Sequence, residues 1–431
     1  MRATLLILFI VLTFFVFSLQ CSLISESGSL AGHVVVSEGE SIQTAINSAA
    51  PGDTIFVKNG TYSERILVNK SVSLIGESIM GVILNGKGEY AYMVNILADD
   101  VRLEQFTIRN ASSSFGSTII HILNRRNVTI QNCKIEIGFQ GVLITNSSNC
   151  KLFNNKISEN YAGIELHSNS KDNTLNGNFI FNNTYGVYID KAIHNLIFHN
   201  NFINNTNSYW TDTSENYWNN NYPSGGNYWS DYSGLDQNRG PDQNITESDG
   251  LGDSPYPYED NPLDNFPYVN PISIELYSYS NYTYYFLISS NSTILDFIFH
   301  AENETFIKFF IKGINGPQCS CRVMVPRRLL LFNSTEQWIV KVNNDSITAL
   351  VEEETDNFFL YFCFNLGQEI EMVSITPMYA KPKFNSNPLI FLFVALVSAV
   401  LILGVVFYVR RRYQHKQSSI KGRTIHWKLL M

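Results

Sequence analysis

Four side chains that could move protons or stack on a sugar lie in two short stretches of this sequence, 23 residues apart. Glu165 and His167 occur in "IELHS", and Tyr188 and Asp190 occur in "VYIDK". If these stretches are strands of adjacent coils, the second pair lies over the first at the roughly 4.8 Å spacing of hydrogen-bonded strands. Two carboxylates and an imidazole supply what acid–base catalysis requires, and the tyrosine ring is a stacking platform for a sugar.

The separation of the two carboxylates bears on the mechanism. Glu165 and Asp190 are predicted to lie diagonally across the two strands, at about the separation found in retaining glycosidases. The alternative interpretation is a solvated strand face, because charged residues are common there. The sequence has no Asp-rich hydrolase pair with a downstream Gly-His-Gly, which better-known β-helix enzymes carry. Both interpretations therefore stay open.

The two stretches belong to an internal repeat between Asn127 and Asn205, with steps of 22 or 23 residues. Apolar residues alternate with period 2, as in strands, and Asn and Gly separate the segments. The alignment predicts three apolar files: Ile130, Leu152, Leu175 and Phe198; Ile135, Ile157, Ile180 and Ile203; and Ile144, Leu166 and Ile189. Corner positions are predicted at Asn132, Asn154 and Asn200, and at Gly141, Gly163 and Gly186. Such coils bury their apolar side only by stacking, which predicts a parallel β-helix.

The segment before the repeat predicts a cap for the first coil. An amphipathic helix over Ser41 to Ala50 would cover the open edge of the solenoid.

With this helix, the Asn-rich coils and the later "GNYWSDYSGLDQNRG", residues 38–271 resemble the NosD-type β-helix proteins, a branch of the pectin-lyase-like superfamily common on archaeal surfaces. The resemblance implies a right-handed parallel β-helix. It leaves the activity open, because such families include lyases, hydrolases, epimerases, copper-site maturation factors and members without a known reaction.

Repetition stops near residue 207, where aromatic residues crowd together. We expect an aromatic C-terminal cap from there to 271, because the last coil of a solenoid must be covered. Four of its aromatic side chains are predicted to contact carbohydrate: Trp210, Trp218, Tyr228 and Trp229.

An acidic turn, "ESDGLGDSPY", follows within the cap. Glu247, Asp249 and Asp253 have the acid and glycine rhythm of short calcium loops, although the distal Glu of an EF-hand is missing. Calcium is therefore a predicted cofactor. The alternative is a turn held by hydrogen bonds and by Arg239.

Residues 272–380 change to about eight aromatic-rich, alternating segments, which predict a β-sandwich that serves as a spacer.

Cys133 and Cys150 are expected to be small buried residues. Cys363 is predicted to form a disulfide with Cys319 or Cys321. Copper gains no support, because Cys-x-Cys is the one thiol pair and the His and Met residues are scattered.

Both ends of the chain predict membrane topology. Residues 1–22 read as a signal peptide, residues 388–409 as one transmembrane helix, and residues 410–431 as a cytoplasmic tail with seven basic residues and no acidic one. The remaining part carries all 38 Asp and Glu residues and is therefore acidic. This charge disfavours nucleic acid and suits cations or neutral glycans. Several Asn-x-Ser/Thr sequons, among them Asn59 and Asn281, suit a glycosylated surface.

The sequence thus predicts a cell-surface β-helix, anchored in the membrane by one helix, that binds extracellular carbohydrate. One alternative is a polysaccharide hydrolase, lyase or epimerase that acts through Glu165, His167, Tyr188 and Asp190. The other is a purely structural surface or stalk protein.

Overall fold

The structure, a computed structural model, describes residues 32–212, 214–257, 263–279, 282–300, 306–312, 318–329, 338–365 and 370–377. The predicted signal peptide, membrane helix and basic tail lie outside these residues. Within them, no helix has the length and apolar character needed to span a membrane. The described fold is almost entirely β, with one short α-helix.

A parallel β-helix forms the first part of the chain, and its strands stack into three faces. Face 1 contains β1 His33–Val36, β2 Thr54–Val57, β5 Ser73–Gly76, β8 Arg102–Glu104, β11 Thr129–Gln131, β13 Lys151–Phe153, β15 Thr174–Asn176 and β18 Leu196–Phe198. Face 2 contains β3 Gly60–Tyr62, β6 Val82–Asn85, β9 Thr107–Arg109, the first half of β12 Lys134–Thr145 and of β14 Lys156–His167, β16 Phe179–Phe181, β19 Asn201–Ile203 and β21 Tyr228–Trp229. Face 3 contains β4 Ile66–Val68, β7 Tyr92–Ile96, β10 Thr118–Leu123, the second half of β12 and of β14, β17 Tyr185–Asp190 and β20 Asn207–Thr211.

The long strands β12 and β14 turn the corner between faces 2 and 3. They bend where Ile137 and Glu159 adopt positive φ angles of 64° and 58°, a conformation that costs L-residues energy outside packed surroundings. The predicted glycine column lies just beyond this bend. A Cβ on Gly163 would lie 2.7 Å from the carbonyl oxygen of Gly186, so the glycines allow successive coils to approach closely.

Three buried asparagine ladders hold the corners together. In each ladder, the Oδ1 atom of one Asn accepts hydrogen bonds from the backbone N–H and the side-chain N–H of the Asn one coil earlier. The ladders comprise Asn155, Asn178, Asn200 and Asn227; Asn160, Asn183 and Asn205; and Asn173, Asn195 and Asn216. These bonds satisfy backbone groups that the core would otherwise leave unpaired.

Two of the three predicted apolar files fail at the last coil. Leu175 pairs with Ile197 rather than Phe198, and Ile180 pairs with Phe202 rather than Ile203. Asn200 belongs to the Asn155 ladder and not with Asn132 and Asn154. The cause is a step of 22 residues, where the alignment used 23. The third file, Ile144, Leu166 and Ile189, is confirmed.

The N-terminal cap is a helix, α1 Ile42–Ser48, shorter than the predicted Ser41 to Ala50. Ser41 is its N-cap, and its hydroxyl accepts a hydrogen bond from the backbone N–H of Thr44. Ile42 and Ile46 are fully buried and join the continuous core of the coils. The helix thus covers the first coil, as a solenoid edge requires.

The part after the coils contains a cap and a sandwich. The cap includes two short strands, β22 Asn238–Arg239 and β23 Ile245–Thr246. Two antiparallel sheets of five strands each follow, ten strands rather than about eight. They are β24 Ile272–Tyr279, β25 Tyr282–Ser290, β28 Gln318–Pro326, β32 Asn357–Asn365 and β31 Leu350–Glu353; and β26 Thr293–His300, β27 Phe306–Lys312, β33 Ile370–Pro377, β29 Trp338–Val342 and β30 Asp345–Ile347. A 3₁₀ turn, Arg327–Leu329, follows β28.

The predicted disulfide is wrong. Cys363 lies opposite Ser320 in the register of β28 and β32, so its side chain is exposed while those of Cys319 and Cys321 point into the sandwich core. Their two Sγ atoms lie 3.9 Å apart as free thiols. Cys133 and Cys150 are buried within the coils, as predicted.

Candidate functional site

Face 3 brings together the four residues that the sequence pairs at a step of 23. Glu165 of β14 lies beside Tyr188 of β17, and His167 lies beside Asp190, in the parallel register that the sequence predicts. The intervening Leu166 and Ile189 are buried in the core. The alternation of the strands therefore places all four functional side chains on the outer side of the coils.

Glu165 is less exposed than its strand position predicts. Only 8% of its surface is accessible, because neighbouring side chains on face 3 cover it. Its Oε2 atom accepts a hydrogen bond from Nε2 of Gln140, whose Oε1 in turn accepts one from Thr118 Oγ1 at 2.6 Å. Burial raises the pKa of Glu165, with a further contribution from the negative charge of Asp190. A carboxyl group in such surroundings can carry a proton to higher pH than an exposed one.

His167 lies between the two carboxylates. Its Nε2 atom is 3.0 Å from Glu165 Oε1, and its Nδ1 atom is 3.4 Å from Asp190 Oδ2. The two carboxylates lie diagonally across β14 and β17, as the register predicts, and the imidazole contacts both of them. The three side chains form one connected chain of polar contacts, which links any proton change at Glu165 to Asp190.

Aromatic rings form both sides of this polar chain. Tyr188 stacks on Trp210 of β20, with ring centroids 4.3 Å apart and an interplanar angle of 11°. A second row, the aromatic ladder, stands at the corner between faces 2 and 3 and comprises Phe115, Phe139, Tyr161 and Tyr185. Burial and the neighbouring carboxylates Asp190 and Glu165 raise the pKa of Tyr188, so its phenol stays protonated and is a poor base.

Residues of both rows line the face-3 groove, an open depression of about 480 Å³. Its lining residues are Phe115, Gly116, Phe139, Gln140, Leu143, Thr145, Tyr161, Ala162, Glu165, His167, Ser168 and Tyr188. The groove combines apolar ring surface with a few polar groups at its floor, which is typical of small-molecule and sugar sites.

The four predicted carbohydrate contacts separate into two groups. Trp210 is 37% exposed and stacks on Tyr188, which lines the face-3 groove. Trp218 and Trp229 are 1% and 0% exposed, and Trp229 donates a hydrogen bond to Asp264 Oδ2 at 3.0 Å. These two indoles form the core of the cap and present no free face to a ligand. Tyr228 is half-buried in β21, on face 2.

The predicted calcium residues each have their own protein donors. Asp253 accepts hydrogen bonds from the backbone N–H groups of Gln237 and Asn238. Glu247 pairs with Arg239 at 2.9 Å. Asp249 is fully buried and accepts from the backbone N–H of Leu251. This geometry supports the alternative of a hydrogen-bonded turn, and calcium remains a prediction.

A buried arginine ties this turn to the sandwich. Arg322 of β28 is 1% exposed and donates to the backbone carbonyl of Asp249 and, at 2.5 Å, to that of Pro223. Its guanidinium also lies 3.7 Å from Glu352 and over the ring of Phe359. We refer to these contacts of Arg322 as the arginine clamp.

Sequence reasoning missed several residues of the groove. Gln140 and Thr118 escaped notice because uncharged polar residues are common on strand surfaces. The aromatic ladder had a detectable signal, since Phe139 and Tyr161 are separated by the same step of 22 residues as the coils. They were missed because the repeat was inspected for apolar core positions, whereas these rings lie outside the core.

The coils, the ladders and the helical cap define a parallel β-helix of the pectin-lyase-like kind. Residues 36–234 match the family described as "Periplasmic copper-binding protein (NosD)". This match, together with the stacked coils, confirms the NosD resemblance seen in the sequence for this part of the chain. No curated protein matches the chain.

Solved structures with a similar fold include pectin methylesterase PemA from Erwinia chrysanthemi, at 14% identity and a TM-score of 0.32, covering 46% of this chain and 77% of that one. Alginate lyase from Paenibacillus sp. str. FPU-7 has 14% identity and a TM-score of 0.31, covering 46% and 80%. The activities of these enzymes are properties of those proteins.

The copper in the family description can be compared with the donors present here. Among the described residues, no group of three or more His, Cys, Asp and Glu side chains is placed to hold a metal ion. Cys133 and Cys150 lie apart in the buried coils, and burial raises the pKa of both thiols, to about 12 and about 11. Copper(I) selects thiolates, so these residues do not fit a copper site.

Proposed function

We propose that the β-helix binds an extracellular carbohydrate chain in the face-3 groove. The observation that carries this proposal is the pair of aromatic rows that border a polar floor of Glu165, His167 and Gln140. Aromatic rings pack against the apolar C–H groups of sugars, and a few fixed polar groups select hydroxyl positions.

Trp210 offers the most direct test of binding. Trp210→Ala in the full-length protein, purified in detergent, should weaken glycan retention by about tenfold, because an exposed aromatic platform is worth roughly 1–1.5 kcal/mol. The matched control is Tyr217→Ala. Tyr217 is 47% exposed but pairs with Leu196 of face 1, away from the groove. Equal losses in both variants, or no loss in either, would contradict binding at face 3.

A second candidate is catalysis, favoured by the polar chain Glu165–His167–Asp190. Glu165 combines a raised pKa with a position at the groove floor, the setting of a general acid. His167 is held from both ring nitrogens and would buffer the charge that Glu165 acquires on giving up its proton. The reaction would be the breaking of a polysaccharide linkage.

Turnover and retention separate the two candidates. If the protein is an enzyme, Glu165→Gln should abolish the release of new sugar ends and leave glycan retention largely intact, since proton transfer and binding are distinct contributions. Asp190→Asn should lower turnover less, because Asp190 acts through His167. Retention without any new sugar ends in the unaltered protein would leave binding as the function.

We also propose that the protein is displayed at the cell surface by one membrane helix. The uncharged run 388–409 and the basic tail after it support this proposal. Protease added to intact cells should then remove the β-helix. Survival of the β-helix under conditions that cleave a known surface protein would contradict the orientation.

A further inference from the structure

The face-3 groove contains an acidic side chain but no Lys or Arg. Glu165 and His167 are its titratable lining groups apart from tyrosine, Asp190 lies 3.4 Å from His167 beside the groove, and none of the lining residues is Lys or Arg. Even with His167 protonated, the two carboxylates leave no surplus positive charge. The groove is therefore suited to uncharged or positively charged groups on a ligand.

The basic residues in the turns that follow strands β10, β14 and β17, namely Arg125, Arg126, Lys171 and Lys191, do not change this balance, since none of them lines the groove. Arg125 follows β10, and its Nε donates to the backbone carbonyl of Leu123 at 3.0 Å. Lys191 follows β17 and is exposed. Neither side chain lines the groove.

A sugar carboxylate would meet an unfavourable environment here. Glu165 is 8% exposed, so charges at the groove floor are only partly screened by water. A uronic acid placed beside Glu165 and Asp190 would bring a third negative charge with no cation to pair with it. This repulsion between carboxylates would select against uronic acids. An amino group on the sugar would instead be attracted by the carboxylate of Glu165 in the groove and by that of Asp190 beside it.

We propose that the face-3 groove selects amino sugars over neutral sugars, and neutral sugars over uronic acids. The proposal rests on the carbohydrate function above and names its substrate class. Its recognition elements are the carboxylates of Glu165 and Asp190 for the amino group, and the rings of Tyr161 and Tyr188 for the sugar faces.

Three oligosaccharides of equal length test the order: a glucosamine oligomer, a glucose oligomer and a galacturonate oligomer, titrated at low salt into the full-length protein in detergent. We expect the galacturonate oligomer to bind at least about tenfold more weakly than the glucose oligomer. The glucosamine oligomer should bind tightest. If the galacturonate oligomer binds best, carbohydrate binding stands and the selectivity proposal is overturned. If none of the three binds, the carbohydrate function fails, and the selectivity fails with it.

Two variants assign the selectivity to these residues. Asp190→Asn should reduce the preference for glucosamine over glucose by about tenfold, whereas Glu215→Gln, which changes an exposed carboxylate elsewhere, should leave it unchanged. Leu143 lies next to Glu165 in the outer column, and Leu143→Lys should improve galacturonate binding by a similar factor. This second variant gains an interaction, so a folding defect cannot imitate its result. An unchanged preference in a folded Asp190→Asn protein, or no gain in Leu143→Lys, would overturn the proposal.

Discussion

The stacked coils and the C-terminal cap meet the same requirement by opposite chemical means. Both bury backbone groups that need hydrogen-bond partners. In the coils, the partners are neutral Asn side chains that repeat at every turn. In the cap, they are carboxylates and one guanidinium, each used once.

This difference shows why the repeated positions of the coils use neutral side chains, whereas charged side chains occur at positions that are not repeated. An Asn side chain is both donor and acceptor, so identical residues can bond in a continuous row. A carboxylate only accepts, so two stacked Asp residues would repel. Charged partners therefore suit a position that occurs once, such as the end of a solenoid.

The largest expected effect comes from breaking the arginine clamp. Arg322→Met should lower the free energy of unfolding by about 3–5 kcal/mol, because it leaves Glu352 buried without its partner and two carbonyls without a donor. Chemical denaturation of the full-length protein measures the loss. The matched control is Arg328→Met, since Arg328 forms only an exposed ion pair with Asp356 and should contribute little. Similar losses for both would show that the clamp adds no stability.

A single ladder residue should have the next largest effect. Asn200→Ala removes the partner of the backbone and side-chain N–H groups of Asn178 and a donor to the carbonyl of Leu175. We expect a loss of about 3 kcal/mol, since each unsatisfied buried group costs roughly 1–3 kcal/mol. Thermal unfolding checks this value.

Asn146→Gly is the control for the ladder. Asn146 is exposed, its side chain donates a hydrogen bond to that of Asn124, and its φ angle of 47° is one that glycine tolerates. Its replacement should cost below about 1 kcal/mol. A larger cost than that of Asn200→Ala would contradict the importance of the buried ladders.

The stability of the cap should depend on pH. Burial raises the pKa of Asp264 and of Asp236 to about 7. In the unfolded chain both titrate near 4, so the folded cap binds more protons than the unfolded one between about pH 4 and 7. Stability should therefore fall as pH rises through this window and level off above it.

Asp236→Asn should flatten part of this slope. In the folded cap, the backbone N–H groups of Asp249 and Gly250 donate to the two carboxylate oxygens of Asp236. The Asn side chain would retain one of these two acceptor oxygens. Asp345→Asn, at an exposed sandwich position, is the control and should leave the slope unchanged. A stability that rises between pH 4 and 7 would contradict the assignment to buried carboxyls.

Calcium is expected to have the smallest effect. The carboxylates of Glu247 and Asp253 already have protein partners, so a cation would have to displace these bonds. We expect chelation to change the free energy of unfolding by less than about 1 kcal/mol. An increase of about 2.7 kcal/mol in the free energy of unfolding, with calcium at a hundredfold above its dissociation constant, would instead support a calcium site. Asp253→Asn should then abolish that rise.

The sequence could predict the coils because their physics is periodic. One step of 23 residues correctly placed Tyr188 over Glu165 and Asp190 over His167. The same step failed for Phe198 and Ile203, since coil length changes to 22 at a turn that no apolar file marks. Periodicity determines which face a residue occupies but not how many residues its turn contains.

The parts that could not be predicted depend on side-chain placement rather than on faces. The position of His167 between two carboxylates depends on rotamers and neighbours such as Gln140. The burial of Trp218 and Trp229 follows from the path of the cap, which does not repeat. Where the sequence does not repeat, no periodic pattern indicates whether a tryptophan is exposed or buried.

Asp264 also defines where the β-helix can stop. Its Oδ2 atom accepts from the backbone N–H of Asn227, the last residue of its ladder, at 2.7 Å. Every earlier Asn of that ladder donates in the same way to the coil that follows and accepts, through its Oδ1 atom, from the coil before it. A duplicated coil could therefore be inserted before Asn227 without altering either end. Such an insertion would lengthen the protein by about 4.8 Å per coil, which makes the coil a unit of length that gene duplication can add or remove.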